Sequence, residues 1–150
     1  MMGLAVASLA AAELKPVDEA SYPQAIAGQR GKVVLVDFWA TWCGGCVEEM
    51  PRIVGLEGKY RSRGLRLITV SCDEPEDAAK AQQFLQKNGV LSPAYIKRAK
   101  NDEKFINSVD PKWTGALPGL FLYDRGGRLV KAFIGETDME ALERAVREIL

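Results

Sequence analysis

Val33-Val34-Leu35-Val36-Asp37-Phe38-Trp39 leads through Ala40-Thr41 into Trp42-Cys43-Gly44-Gly45-Cys46, and from there into Val47-Glu48-Glu49-Met50-Pro51. The first run is nearly continuous in apolar residues, the pattern of a strand buried on both faces. The last reads as the opening of a helix. A C-x-x-C at a strand-to-helix junction is a dithiol motif with a geometric reason behind it. Cysteines three apart in a first helical turn share a face, with Cα atoms roughly 5–6 Å apart, within disulfide range.

Position also decides reactivity. Unpaired N–H groups and the positive end of the dipole at a helix N-terminus stabilise an anion. A thiolate there has its pKa lowered from about 8.5 toward roughly 3.5–7.5. Cys43 is therefore the expected nucleophile, and Cys46, one turn deeper, the resolving thiol. Two other readings of the pair carry less weight. A zinc site usually takes four Cys or His ligands; this chain has no histidine and three cysteines in all. A purely structural disulfide across so short a loop would constrain the unfolded chain little.

Asp37 is the anomaly in the strand. Its neighbours Val36 and Phe38 place a carboxylate near the core, where burial without a cation raises its pKa. Six residues before Cys43, it is positioned to take and return the resolving thiol's proton. The alternative is a carboxylate satisfied by backbone donors or a lysine, since buried polar groups usually find partners.

The chain has 150 residues, enough for one domain with a real core. Twenty Lys and Arg balance twenty Asp and Glu, so there is no electrostatic case for nucleic acid or an anionic membrane surface. The absence of histidine removes Cys-His and Ser-His-Asp catalysis and most transition-metal sites. No metal and no organic cofactor is expected. Residues 1–13 hold a short apolar run, Gly3 to Ala12, ending in small residues. It reads either as a truncated signal peptide, placing the mature protein outside the cytoplasm, or as an ordinary apolar helix of a cytoplasmic protein. Residues 14–150 form the expected single domain.

Along that domain, 13–18 reads as a polar connection and 19–27 as a short helix. Residues 32–40 are the first strand. A helix runs from Cys43 to about Arg63, with Pro51 in its interior and Gly64 as its stop. Residues 66–71 are a second strand, with Cys72 at its tip. Alternation puts Cys72 on a face with Ile68 and Val70, as a small buried hydrophobe or, less simply, a redox residue. A helix begins around Asp73–Asp77 and ends at Asn88-Gly89. The stretch 91–111 is irregular, with a basic run at 97–100 read as a solvated face and Asn101 capping a short helix. Residues 120–123 and 128–134 form a hairpin across Asp124-Arg125-Gly126-Gly127. Thr137-Asp138-Met139-Glu140 reads as a capping box before a last helix.

Taken with Trp113-Thr114-Gly115-Ala116-Leu117-Pro118 and the hairpin, the motif at 34–51 resembles thioredoxin-fold proteins, nearest to the TlpA/ResA-type thiol:disulfide oxidoreductases exported by bacteria. The resemblance spans residue 29 to the C-terminus. It implies an α/β, thioredoxin-like fold with a mixed central β-sheet flanked by helices. It also implies that Cys43 and Cys46 are a redox-active disulfide pair, that Pro118 is a cis-proline facing it, that the backbone of Leu117 pairs with a bound peptide strand, and that Trp42 shapes the docking surface. The alternative for Pro118 is an ordinary strand-entry proline. Implied partners are disulfide-bearing client proteins, with cytochrome c maturation components the family's usual clients, and an upstream membrane reductase if the protein is exported. Gly44-Gly45 departs from the family's usual dipeptides. The function expected is reduction of client disulfides. The alternatives are a binding module with an idle or regulatory disulfide, or a disulfide oxidant or isomerase.

Overall fold

The computed structural model describes residues 13–91 and 93–150. The apolar run at residues 3–12 lies outside them. In chain order the elements are β1 (Leu14–Val17), α1 (Ser21–Ala27), β2 (Val33–Trp39), α2 (Gly44–Tyr60), β3 (Leu65–Ser71), α3 (Ala78–Lys87), β4 (Ala94–Lys97), α4 (Asp102–Val109), β5 (Gly119–Tyr123), β6 (Leu129–Ile134) and α5 (Met139–Ile149). The strands make one sheet in the order β1-β4-β3-β2-β5-β6. The β1/β4, β4/β3 and β3/β2 pairs are parallel, and β5 and β6 join antiparallel. The sheet is therefore mixed, and helices flank it, as the sequence implies.

Alternation along β2 sorts the core. Val34, Val36 and Phe38 face α1 and α4, packing with Tyr22, Ile26, Phe105 and Val109. Val33 and Leu35 face the other way, toward Ile53, Leu56 and Tyr60 of α2 and Leu142 and Val146 of α5. Trp39 continues that second face beside Cys46, Met50, Ala81 and Leu85. Every β2 residue is buried, which is why its sequence shows no polar alternation.

Three expectations are corrected. The segment 13–18 is not a mere connection: Leu14–Val17 pairs in parallel with Ala94–Lys97. Nor is 91–111 without a strand. Both strands are four residues long, and β1 is an edge strand whose Lys15 and Pro16 are exposed. A proline is tolerated at an edge because no ladder hydrogen bond is lost on the solvent side, and so short a segment carries no readable period. The third correction concerns α5. Its N-cap is Asp138, whose carboxylate accepts from Ala141 N. Thr137 is turned inward instead, and its N–H and hydroxyl donate to Glu49.

Other details match. Asn101 caps α4 through Lys104 N. The helix after Cys43 runs to Tyr60 and tightens into a 3₁₀ turn at Arg61–Arg63. It stops at Gly64, whose φ of 107° suits a residue without Cβ. Within the basic run, Lys97 pairs with Asp102 and Arg98 donates to the carbonyls of Asp73 and Lys97. No helix among the described residues is long and apolar enough to cross a membrane.

Because the α5 cap is Asp138, Asp138→Ala should lower unfolding free energy by about 1 kcal/mol. Urea denaturation should show a lower midpoint at unchanged slope.

Candidate functional site

Cys43 is the N-cap of α2, with extended backbone angles (φ −90°, ψ 100°), and its sulfur accepts from Cys46 N at 3.3 Å. A negative sulfur at this place meets both an amide donor and the helix dipole. Cys43 is half-buried, whereas Cys46 is fully buried. The two are joined by a disulfide with Cα atoms 5.3 Å apart. Their exposure is unequal: of the two, only Cys43 is accessible from solvent. Trp42 stands 66% exposed beside it, while Trp39 is wholly in the core.

The loop that delivers Cys43 is held by a residue read from sequence only as a helix-start acid. The buried carboxylate of Asp73 accepts from Thr41 N at 3.1 Å, Thr41 Oγ1 at 2.6 Å and Ser71 Oγ at 2.7 Å. Cys72 N donates to Trp39 O at 2.7 Å. The readable signal was positional: an Asp just beyond one parallel strand lies beside the end of its neighbour.

On the opposite side, the Leu117–Pro118 peptide bond is cis, as the resemblance implied. Pro118 packs against the start of α2: a Cβ on Gly45 would lie 3.9 Å from its Cδ. The approach to it is braced by aromatic rings. Trp113 packs on Phe38 and Phe121 with centroids 4.8 and 5.1 Å away, and its indole donates to Ala116 O. Gly119 is tightly enclosed: a Cβ there would sit 3.3 Å from Ala116 O and from both the Phe121 and Trp113 rings, so these neighbours would have to shift by a few tenths of an ångström. Trp42 and Leu117 line one cleft of about 310 Å³ beside the dithiol, together with Phe105, Trp113, Thr114 and Cys72. Gly45, Glu49, Arg52, Pro118 and Glu136 line a second, of about 240 Å³. The structure thus gathers Trp42, Cys43, Cys46, Leu117 and Pro118 at one end of the sheet.

Two buried carboxyl groups lie behind this surface. Asp37 is 1% exposed, and neither of its carboxyl oxygens has a hydrogen-bond partner. Backbone donors or a lysine do not satisfy it. Burial, and then the nearby Glu49, push its pKa up to about 8. In the sequence Glu49 stands only as part of the helix opening after the dithiol. It proves to be buried in α2, where it accepts from Thr137 N and Oγ1 at 3.4 and 3.0 Å. Burial raises its pKa as well, with the Thr137 hydrogen bonds and Arg52 pulling the other way. Glu48 is exposed. Cys72 is free and half-buried. It packs on the cluster holding Ile68 and Val70, and burial pushes its thiol up to about 12, in keeping with a small hydrophobe.

Comparison with known proteins agrees with this geometry. The model of the AhpC/TSA family matches residues 8–132. A protein of Bacillus thuringiensis (strain Al Hakam) named thiol-disulfide oxidoreductase ResA is 35% identical over 120 residues, covering 80% of this chain and 65% of the relative. A protein of the same name from Geobacillus kaustophilus is 31% identical, covering 80% and 64%. The chain thus spans a little under two thirds of these relatives' length. A crystal structure of a thiol:disulfide interchange protein, thioredoxin family, from Chlorobium tepidum TLS superposes with a TM-score of 0.67 at 22% identity, over 82% of this chain and 83% of that one. The chain belongs to the AhpC/TSA family, and its fold is thioredoxin-like.

The state of Asp37 gives a stability test with a definite sign. Its folded pKa of about 8 lies above the ordinary 3.8, so between these values the folded chain holds a proton that the unfolded chain has released. Stability then falls as pH rises through that window, by up to about 1.4 kcal/mol per pH unit for this group. Asp37→Asn removes the term. The variant's stability relative to wild type should grow from pH 4 to pH 8 by a few kcal/mol and level off above, in denaturant melts at each pH.

Proposed function

We propose that the protein is a thiol:disulfide oxidoreductase that reduces disulfides of partner proteins. The observation that carries this reading is the asymmetric dithiol, with an accessible sulfur at a helix N-cap and a buried one a turn behind it. The shared name of the curated relatives supports it.

In the reduced protein, the Cys43 thiolate attacks one sulfur of a client disulfide. A mixed disulfide forms, and the client's other sulfur leaves as a thiolate and takes a proton. The Asp37 carboxylate takes the Cys46 proton. Cys46 then attacks Cys43 Sγ, the second client sulfur leaves and is protonated, and the Cys43–Cys46 disulfide remains. Two electrons pass to the client, and no metal or organic cofactor is required. Asp37 suits the proton step. Its pKa of about 8 lies within a unit of an ordinary thiol's value of about 8.5, so the transfer costs about 1 kcal/mol or less for such a thiol. Trp42, Leu117 and Pro118 supply the surface on which an extended client segment lies, the backbone of Leu117 pairing with it.

The direction of exchange follows from which redox form the site stabilises. No histidine lies inside the dithiol to lower the nucleophile's pKa further, and the buried acid assists release of a reduced client, so reduction is the favoured direction. Clients are disulfide-bearing proteins, cytochrome c maturation components among them. The location is outside the bacterial cytoplasm, where a membrane reductase would recharge the dithiol.

Two measurements test this. The reduced protein should accelerate reduction of insulin disulfides by dithiothreitol. A folded protein with a reducible disulfide and no turnover would overturn the reading in favour of a binding module. Cys46→Ser should accumulate mixed disulfides on Cys43 that mass spectrometry can identify, and Cys43→Ser should accumulate none. Capture on Cys72 instead would remove Cys43 as nucleophile.

A further inference from the structure

Beneath α2, three buried polar groups on one face of the sheet lack hydrogen-bond partners: both carboxyl oxygens of Asp37, Oγ1 of Thr69 and Nε1 of Trp39. All three residues are essentially inaccessible to solvent. Asp37 is paired in register with Thr69 across the parallel β2/β3 ladder. Their backbones are therefore about 4.8 Å apart and their side chains stand on the same face. Trp39 follows Asp37 by two residues on that face and packs with Cys46 in one cluster. Buried donors and acceptors are rarely left unpaired, because each costs free energy comparable to a lost hydrogen bond. Here two donors and one acceptor group are orphaned side by side.

A protonated Asp37 needs little from these neighbours; a carboxylate needs donors. No cation faces it. From α2 the titratable groups on this face are Glu49 and Glu57, the latter accepting from Leu67 N two residues before Thr69, and Glu49 is the charge that acts on Asp37; Cys46 is held in the disulfide. Cys72, past the end of β3, is within electrostatic reach of Asp37, and on β5 the residue in register is Leu120. Beyond Glu49 stand Thr137 and the exposed Glu136. Among the described residues, the unpaired donors on this face are the Thr69 hydroxyl, in register with Asp37, and the indole of Trp39, two residues further along the strand and packed on Phe84.

We propose that Thr69 is a positioning residue for the resolving step, its hydroxyl acting with the Trp39 indole N–H to receive the Asp37 carboxylate when it forms. In the resting oxidised protein these donors are unengaged. When Asp37 gives up its proton, the Thr69 side chain turns about χ1 and donates to one carboxylate oxygen, and the indole donates to the other. The pair then holds the base in its anionic state, ready for the Cys46 proton. The role in turnover rests on the oxidoreductase reading, but the donor set itself is measurable without turnover.

The test is an NMR titration of the oxidised protein from pH 5 to 10, following the Asp37 carboxyl carbon and the Trp39 indole N–H. In wild type the indole resonance should move with the Asp37 midpoint, and in Asp37→Asn that movement should vanish. Thr69→Val keeps the side-chain shape and removes the hydroxyl. It should raise the Asp37 midpoint by about one pH unit, as expected for loss of a hydrogen bond to a charged group. Thr69→Ser should restore the midpoint. In the reduced proteins, Thr69→Val should slow client release at pH 7 about tenfold, with the first attack by Cys43 unchanged. A Thr69→Val midpoint equal to wild type would overturn the proposal. So would a wild-type indole that ignores the Asp37 titration, and this reading stands even if the valine variant fails to fold. Failed insulin reduction with intact NMR coupling would remove the oxidoreductase reading and leave the donor set in place.

Discussion

The parallel pairing of β2 with β3 is the constraint on which the site depends. Seven consecutive registers run from Val33 opposite Leu65 to Trp39 opposite Ser71, so both strands end at the same level. That common end brings Ser71 and Asp73 to Thr41, fixes the two residues before Trp42 and determines where α2 begins. A slip of one residue would turn every side chain of the strand to the other face. It would put Asp37 on the face that holds Phe105 and Phe121, away from the dithiol. The chemistry at Cys43 is thus decided by backbone hydrogen bonds several residues upstream of it.

The same register makes the interior behind the dithiol expensive. An aspartate and a glutamate are both buried within electrostatic reach of each other, and only Glu49 has hydrogen-bond partners. A structure selected for stability alone would fill the Asp37 position with an aliphatic side chain like its neighbours Val36 and Leu35. Burial of an unpaired carboxyl is destabilising throughout the pH range where the unfolded chain would ionise. Titratable groups with strongly perturbed environments cluster at functional sites, and this is the ground on which Asp37 is proposed as the proton carrier.

Most of this was visible in the residues themselves. The continuous apolar run at Val33–Trp39 and the C-x-x-C after it were sufficient for a strand feeding a helix. Gly64, Asn101 and the hairpin glycines marked their boundaries by local chemistry. What escaped was whatever depends on partners distant in sequence. β1 and β4 are too short and too mixed to show a period, and become strands because β4 pairs with β3 and β1 in turn pairs with β4. Thr137 satisfied the local pattern of a cap, yet its hydroxyl is claimed by Glu49, 88 residues away. Asp73 looked like a helix-start acid because its three donors come from the neighbouring loop and strand end.

The orphaned donors at Thr69 and Trp39 belong to the same category, and they explain how one buried acid could serve both halves of an exchange cycle. A base that is too well solvated keeps its charge and does not return the proton; one with no donors ionises only at higher pH. A hydroxyl and an indole N–H that stand free beside a neutral carboxyl and can turn toward an anionic one lie between these limits. Such an arrangement would offset part of the rise that burial and Glu49 impose on Asp37, bringing proton transfer in either direction closer to balance. A lysine in place of Thr69 would hold the carboxylate too firmly, by adding a full opposite charge at close range. A valine would leave it only the indole. Threonine in register with Asp37 is the middle case, and it sits where the pairing of β2 and β3 requires it to be.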